Sequence, residues 1–237
     1  GLRVPSRRPV TGTAAFKAGL IEVQDEGSQL IALLADARPG MRVADYCAGA
    51  GGKTLAIAAT MGNRGKITAC DTSAPRLEGA ALRFRRAGVD NAERHLLTAG
   101  DRWAKRRAGS CDRVLVDAPC TGTGTWRRNP DARLRTRPED LAELIAVQND
   151  ILDKARELVR PGGRLVYATC SVLPAENEER MESFLASHPD FTPIALDALW
   201  PALRPGVGQP CAGPWLRLSP GAHGTDGFFC AVLERKP

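Results

Sequence analysis

The sequence predicts an α/β protein with a mostly parallel β-sheet that is covered by helices on both faces. Three observations support this fold class. Apolar runs of strand length alternate with segments of helical apolar spacing, glycine or proline turns separate them, and polar residues follow the strands. Strands that alternate with helices favour a parallel sheet, because each crossover places a helix on a sheet face.

The individual elements follow from this pattern. Strands are predicted at 41–45, 66–70, 93–97, 113–116, 164–169 and 227–233, and helices at 24–35, 53–60, 73–87, 138–159 and 175–186. Thr72 or Ser73 can cap the third helix and Gly88 can end it. Pro138 suits the first position of the fourth helix, and Pro161 with two glycines predicts a turn before the fifth strand.

The composition indicates a soluble chain with a polyanionic partner. Lysine and arginine number 33 against 27 acidic residues, which gives a net charge of +6. This balance favours a nucleic acid over a neutral partner. Because no apolar run approaches the ~18 residues of a membrane span, no membrane partner is expected.

The seven cysteines argue against a metal site. Their number is odd and none are paired in C-x-x-C spacing, so neither a zinc cluster nor a disulfide framework is predicted. This use of cysteine is typical of a reducing compartment, and we expect the protein to be cytoplasmic. Cysteines 47, 70, 111 and 230 adjoin apolar runs, where cysteine is usually a small core residue.

Basic residues cluster in three places. The clusters are Arg83, Arg85 and Arg86; Arg102, Lys105, Arg106 and Arg107; and Arg127, Arg128, Arg133, Arg135 and Arg137. We interpret the first two as solvated helix faces. The third cluster lies close to the reactive residues described below, and we predict that Arg127, Arg128 and Asn129 contact RNA.

A glycine-rich loop follows the first strand. It comprises Cys47, Ala48, Gly49, Ala50, Gly51, Gly52 and Lys53. A phosphate-binding P-loop would need glycine in place of Cys47, and a dinucleotide fingerprint would need it in place of Thr54. The remaining interpretation is a methyltransferase loop, which wraps an amino acid and a ribose.

Two acids follow the next strands. Asp71 lies 22 residues after Gly49, where a carboxylate can accept both ribose hydroxyls, although a dinucleotide enzyme also places an acid there. Asp101 can receive an adenine amino group, or it can cap a helix that begins near Arg102. Ligands bind at the carboxyl ends of parallel strands, so these acids and the glycine loop are expected to share one site.

Two cysteines also follow strands. Cys120 ends the motif Asp117-Ala-Pro-Cys, and Cys170 lies between Thr169 and Ser171. Carbon 5 of cytosine accepts a methyl group only after a nucleophile adds to carbon 6, and a thiolate suits that addition. Asp117 can assist at the ring nitrogen, and Lys53 can orient Asp117. A helix that begins near Pro174 would lower the pKa of Cys170. The alternative for each cysteine is a buried structural role.

These motifs resemble those of a known family. Asp117-Ala-Pro-Cys120 and Tyr167-Ala-Thr-Cys-Ser-Val-Leu-Pro174, followed by Glu176-Asn177, are similar to motifs of the Sun/Fmu (RsmB-like) RNA cytosine-C5 methyltransferases. Gln148 fits the helix between them, and the likeness extends over residues 23–229. The usual loop has proline in place of Ala50.

The resemblance implies a Rossmann-like class I methyltransferase with a seven-stranded sheet that uses S-adenosylmethionine. It implies that Cys170 forms the covalent bond to cytosine, that Cys120 assists product release, and that the cofactor contacts residues 47–53, Asp71, Asp101 and Asp117. The expected substrate is 16S ribosomal RNA and the expected state is a monomer.

The domain organisation and two other functions are predicted less specifically. Residues 23–237 form the expected catalytic domain, and residues 1–22 an N-terminal segment left from an RNA-binding region. The first alternative is an assembly factor that binds RNA without catalysis. The second is a transfer-RNA cytosine-C5 methyltransferase.

Overall fold

The sheet confirms the predicted α/β architecture. The computed structural model describes residues 1–2, 4 and 8–237, so part of the expected N-terminal segment 1–22 lies outside the described residues. Within them the strands are β1 (Arg42–Asp45), β2 (Lys66–Asp71), β3 (Ala92–Leu96), β4 (Cys111–Asp117), β5 (Val159–Thr169), β6 (Phe191–Ile194), β7 (Leu216–Leu218) and β8 (Phe228–Arg235). They form an eight-stranded sheet in the order β3-β2-β1-β4-β5-β8-β6, and β7 also pairs with β8.

The helices connect these strands. They are α1 (Ala14–Lys17), α2 (Glu26–Leu34), α3 (Gly52–Thr60), α4 (Ala74–Arg86), α5 (Trp103–Arg106), α6 (Pro130–Arg135), α7 (Pro138–Arg156), α8 (Glu178–Ser187), α9 (Leu196–Leu203) and α10 (Pro220–His223). Short 3₁₀ turns lie at Val10–Gly12, Thr123–Thr125 and Pro174–Glu176.

The strand order creates the crevice that holds the polar residues. β1 pairs in parallel with β2 on one side and with β4 on the other, so the chain direction across the sheet reverses at β1. The carboxyl ends of β1, β2 and β4 carry Asp45, Asp71 and Asp117. Ligands of doubly wound sheets bind at such a reversal, outside the carboxyl ends of the strands.

Alternate residues of the central strands bury opposite faces of the sheet. Leu115 and Val166 belong to the core beneath α2 and α3, whereas Val116 and Tyr167 belong to the core beneath α7 and α8. All four side chains have no solvent exposure. Side chains alternate across a strand, so two buried faces require the near-continuous apolar runs seen in the sequence.

Three differences from the predicted elements have physical reasons. β6 and β7 were not predicted, because strands of three or four residues carry too few side chains to establish a period. α9 was not predicted either, and it contains Pro201, which is unusual inside a helix. The turn predicted at Pro161 lies within the longer β5, where its register against β4 shifts. The helix predicted from Ala175 begins at Glu178, after the 3₁₀ turn at Pro174–Glu176.

The described part of the N-terminal segment packs on α4. Arg86 stacks over the ring of Phe16 at 3.7 Å, and Glu22 forms ion pairs with Arg83 and Arg86. The first basic cluster therefore contains two arginines with partners inside the chain, where a wholly solvated face was predicted.

Candidate active site

The glycine loop runs from the end of β1 into α3 and has the open backbone that was predicted. Gly49 and Gly51 have φ values of +54° and +79°, a region that side-chain-bearing residues rarely occupy. A Cβ at Gly51 would lie 2.6 Å from the ring of Phe84, whereas a Cβ at Gly49 would meet no atom within 4 Å among the described residues. Ala50, in the usual proline position, accepts a hydrogen bond from Arg83 at 2.7 Å.

Asp71 ties the end of β2 to this loop. One carboxylate oxygen accepts from the backbone N–H of Gly49 and the other from that of Ser73, both at 2.8 Å. A carboxylate offers about four acceptor positions, so two remain for ligand hydroxyls. The free acceptor positions of Asp71 therefore fit the ribose hydroxyls of the cofactor that the resemblance implies.

Asp101 makes contacts that match its alternative interpretation as a helix cap. It accepts from the backbone N–H of Trp103 at 2.8 Å, at the start of α5, and lies 2.6 Å from Nε2 of His95. The hydrogen bond with His95 is the main cause of a lowered Asp101 pKa. His95 also stacks on Trp103, with their ring centroids 4.9 Å apart. The proposed adenine contact of Asp101 stays a prediction.

The two cysteines of the paired motifs meet at the carboxyl edge of the sheet. Sγ of Cys120 lies 3.4 Å from Sγ of Cys170. The hydrogen bond from Cys120 lowers the pKa of Cys170 against the opposing effect of burial, and the charge of Lys53 adds to the lowering. The same hydrogen bond, with burial, raises the pKa of Cys120. Cys170 is therefore the thiol that ionises first, and Cys120 stays protonated beside it.

The cause of the lowered Cys170 pKa differs from the one predicted. A helix N-terminus near Pro174 was expected to stabilise the thiolate, but α8 begins only at Glu178. The pKa of Cys170 is lowered instead by the hydrogen bond with Cys120 and by the charge of Lys53. Burial raises the pKa of four other cysteines: Cys47, Cys70, Cys111 and Cys230. The last three are buried, as predicted, whereas Cys47 is half-buried in the glycine loop.

Lys53 and Asp117 form the predicted pair. Nζ of Lys53, near the start of α3, lies 2.5 Å from a carboxylate oxygen of Asp117 at the end of β4. Burial alone would lower the pKa of Lys53, but the charge and hydrogen bond of Asp117 raise it overall. The ammonium is therefore charged and holds Asp117 in one orientation near Cys170.

The basic loop that was predicted to contact RNA has a partner inside the chain. Arg127 and Arg128 both form ion pairs with Asp226, whose side chain has no solvent exposure. Their own side chains remain 51% and 56% exposed. Asn129 donates a long hydrogen bond of 3.4 Å to Thr125. The loop is thus tethered, while its cationic surface still faces solvent.

Sequence reasoning missed two acids near the site. Asp45 is fully buried, accepts from the Thr54 hydroxyl at 2.7 Å, and has a pKa raised to about 7, mainly by burial. Its position directly before the glycine loop was an available signal. Asp226 precedes β8 in a region that the sequence left unassigned, so no local pattern indicated its pairing with the arginines.

Two kinds of feature are missing from the part of the chain that the structure describes. No cluster of three or more histidine, cysteine or acidic side chains there could hold a metal ion. None of the helices within 1–2, 4 and 8–237 combines the length and the apolar character needed to cross a membrane.

Comparisons with known proteins agree with the geometry. A family model described as 16S rRNA methyltransferase RsmB/F matches residues 32–234. A Bacillus subtilis protein called probable ribosomal RNA small subunit methyltransferase B is 36% identical over 235 residues, 96% of this chain and 50% of that protein. Ribosomal RNA small subunit methyltransferase B of Xylella fastidiosa is 40% identical, with 96% of this chain and 52% of that protein covered.

A solved structure shares the fold over nearly the whole chain. NSun6 from Pyrococcus horikoshii with SFG has a TM-score of 0.83 at 27% identity, and the match covers 99% of this chain and 57% of that one. The chain spans about half the length of the curated relatives that it matches.

Proposed function

The chain belongs to the 16S rRNA methyltransferase RsmB/F family, and from that premise we propose that it methylates carbon 5 of a cytosine in 16S ribosomal RNA. The predicted class I methyltransferase fold is confirmed, and the family depends on S-adenosylmethionine. The observation that carries the proposal is the pair of thiols 3.4 Å apart, one with a lowered and one with a raised pKa.

We assign the cofactor to the glycine loop, residues 47–53, with Asp71, Asp101 and Asp117. The spare acceptor positions of Asp71 and the open space beside Gly49 fit a ribose and an amino acid. When bound, S-adenosylmethionine supplies an electrophilic methyl group for the attack of carbon 5. The protein side chains supply the remaining steps.

Cys170 acts as the nucleophile. Its thiolate adds to carbon 6, and the electron pair of the 5,6 double bond becomes available at carbon 5. Asp117, held by Lys53 at 2.5 Å, supports the addition through a hydrogen bond or proton at ring nitrogen 3. A thiolate is the side-chain nucleophile best suited to this addition, and the Cys120 hydrogen bond keeps Cys170 in that form.

Cys120 acts in product release. Once Cys170 is bonded to carbon 6, its hydrogen bond no longer holds the Cys120 proton, and Cys120 releases that proton to solvent. After methyl transfer, the resulting thiolate of Cys120 removes the proton from carbon 5. The electron pair of that bond re-forms the 5,6 double bond and expels Cys170 as a thiolate. The proton then resides on Cys120, whose raised pKa suits it to hold a proton. The exposed faces of Arg127 and Arg128, with Asn129, serve as contacts for the RNA backbone.

Transfer of a labelled methyl group to 16S ribosomal RNA tests the proposal. The wild type should label the RNA, and bisulfite mapping should locate the product as 5-methylcytosine. Cys170→Ala should reduce transfer by about 100-fold or more, the usual scale for loss of a catalytic group. Undiminished activity of Cys170→Ala would refute its role as the nucleophile.

A second variant separates the two cysteines. Cys120→Ala should accumulate a covalent protein–RNA adduct that survives denaturation, because the methylated intermediate loses its route to release. An adduct in Cys170→Ala instead would mean that the two roles are reversed.

Transfer RNA serves as the competing substrate, and preferential labelling of it would contradict the ribosomal assignment. Labelling of neither RNA, together with tight binding of both, would favour an assembly factor.

A further inference from the structure

The chain segments on both sides of Cys120 are held by two buried side chains. The carboxylate of Glu176 accepts from the backbone N–H of Thr121 at 2.9 Å and from its hydroxyl at 2.5 Å. Gln148 donates to the carbonyl of Pro119 and to Glu176, both at 3.0 Å. Pro119 and Thr121 flank Cys120 directly, so these contacts fix the backbone from which its thiol projects.

The chain segment around Cys170 is held in the same way by Asn177, the residue after Glu176. Asn177 accepts from the hydroxyl of Thr169 at 2.6 Å and donates to the carbonyl of Ser171 at 3.0 Å. Thr169 and Ser171 flank Cys170. Two adjacent residues, Glu176 and Asn177, thus hold the neighbours of both reactive cysteines.

The buried carboxylate of Glu176 would destabilise the fold if it lacked hydrogen-bond donors. Glu176 and Gln148 have no solvent exposure, and Asn177 has 1%. An ionised carboxylate in such surroundings is destabilising by several kcal/mol unless donors surround it. Thr121 and Gln148 supply those donors, and the hydroxyl of Tyr167 fixes the Glu176 backbone by donating to its carbonyl at 2.7 Å. The loss of any of these partners would leave a buried polar group unpaired.

We propose that Glu176 and Asn177 are positioning residues that set the separation of the two thiols, Glu176 through the Cys120 segment and Asn177 through the Cys170 segment. Hydrogen bonds between the segments complete the arrangement. Ser171 Oγ lies 3.3 Å from the hydroxyl of Thr121, and the backbone N–H of Gly124 donates to the carbonyl of Cys170 at 2.9 Å. The catalytic effect of this positioning rests on the proposed function, in which Cys170 is the nucleophile and Cys120 assists release.

The charge of Glu176 also separates the protonation states of the two thiols. The pKa of Cys120 is raised first by its hydrogen bond to Cys170, then by burial, and further by the negative charge of Glu176. Cys120 therefore stays a thiol and donates to Cys170 at rest. Neutralising Glu176 should weaken this difference as well as loosen the segment.

The two residues should give opposite kinetic defects. Glu176→Gln misplaces Cys120, so the covalent RNA adduct should accumulate about 10-fold above wild type, because displacements near 1 Å already cost large factors in rate. Asn177→Ala misplaces Cys170, so adduct formation in a single turnover should slow by about 10-fold without accumulation. A role in folding alone would reduce both steps equally.

A measurement without RNA tests the inference independently. In a Cys170→Ala background, the pH dependence of Cys120 alkylation by iodoacetamide reports the ionisation of that thiol. Adding Glu176→Gln should move this profile to lower pH, because the change removes a negative charge beside Cys120. Mass spectrometry of the Cys120 peptide gives the alkylated fraction.

Control variants make the outcomes distinguishable. Glu179→Gln makes the same chemical change at an exposed position in the first turn of α8 and should match the wild type. Thr121→Val removes the hydroxyl contacts with Glu176 and Ser171 and keeps the backbone bond to Glu176. It should accumulate adduct in the same direction as Glu176→Gln, even where the latter unfolds.

Wild-type adduct levels in both Glu176→Gln and Thr121→Val, together with a wild-type alkylation profile for Glu176→Gln, would overturn the inference. If the wild type transfers no methyl group, or Cys120→Ala forms no adduct, the proposed function fails. The alkylation profile needs no RNA, so it still tests whether Glu176 acts on Cys120.

Discussion

Replacement of Asp45 by asparagine should change how the stability of this protein depends on pH. Asp45 ends β1 directly before the glycine loop and is fully buried. One oxygen accepts from Thr54, and the other has no hydrogen-bond partner among the described residues. Burial raises the pKa of this carboxyl from 3.8 to about 7. Asparagine retains an oxygen for Thr54 and cannot titrate.

The expected magnitude follows from the difference between the folded and unfolded pKa values. The unfolded chain ionises Asp45 near pH 4, whereas the native carboxyl keeps its proton until about pH 7. Between these values the unfolded chain binds fewer protons, so the free energy of unfolding falls as the pH rises. From pH 5 to pH 8 the loss from this one residue is about 3 kcal/mol.

Urea unfolding of wild type and Asp45→Asn at several pH values measures this effect. The variant carries a constant penalty for its buried amide, so the informative quantity is the change with pH of the stability difference between the two proteins. Relative to wild type, Asp45→Asn should gain about 3 kcal/mol between pH 5 and pH 8. A difference that stays constant across this range would refute the reasoning.

Asp112→Asn is a control of opposite sign. Burial raises the pKa of Asp112, but hydrogen bonds from the Arg42 backbone and from Arg160 lower it overall. Its stabilising contribution is therefore present above the unfolded pKa of about 4 and is lost as the pH falls through the lower native value. The stability difference between wild type and Asp112→Asn should stay constant from pH 5 to pH 8 and shrink below pH 4.

Two further substitutions have defined outcomes. Gly124→Ala should lower the free energy of unfolding by about 1–3 kcal/mol, because the added Cβ would lie 2.2 Å from the carbonyl oxygen of Gly227. Gly208→Ala, whose Cβ meets no atom within 4 Å among the described residues, is the control, and equal urea midpoints for the two would contradict this prediction. Lys53→Met should reduce methyl transfer by about 100-fold or more, because it leaves Asp117 without its cationic partner. A variant that keeps the wild-type kcat in the labelled-methyl assay would exclude that role.

The sequence alone determined the fold class and which residues lie together at the carboxyl edge of the sheet. The strands β1, β2, β4 and β8 were predicted within two residues of their observed bounds, because strands buried on both faces are continuous apolar runs with clear ends. Asp71 and Asp117 were found for a related reason: parallel strands end at one edge, so residues that follow them become neighbours whatever the detailed packing. The pairing of Lys53 with Asp117 was predicted from this same edge.

Tertiary structure alone decided which groups interact with the two thiols and the basic loop. Cys120 lowers the pKa of Cys170 through a 3.4 Å contact between residues 50 positions apart, whereas the sequence favoured the start of a helix. Glu176 reaches Thr121 across 55 positions, and Asp226 reaches Arg128 across 98. No local pattern encodes such contacts, because they depend on how β4, β5 and β8 are placed side by side in the sheet.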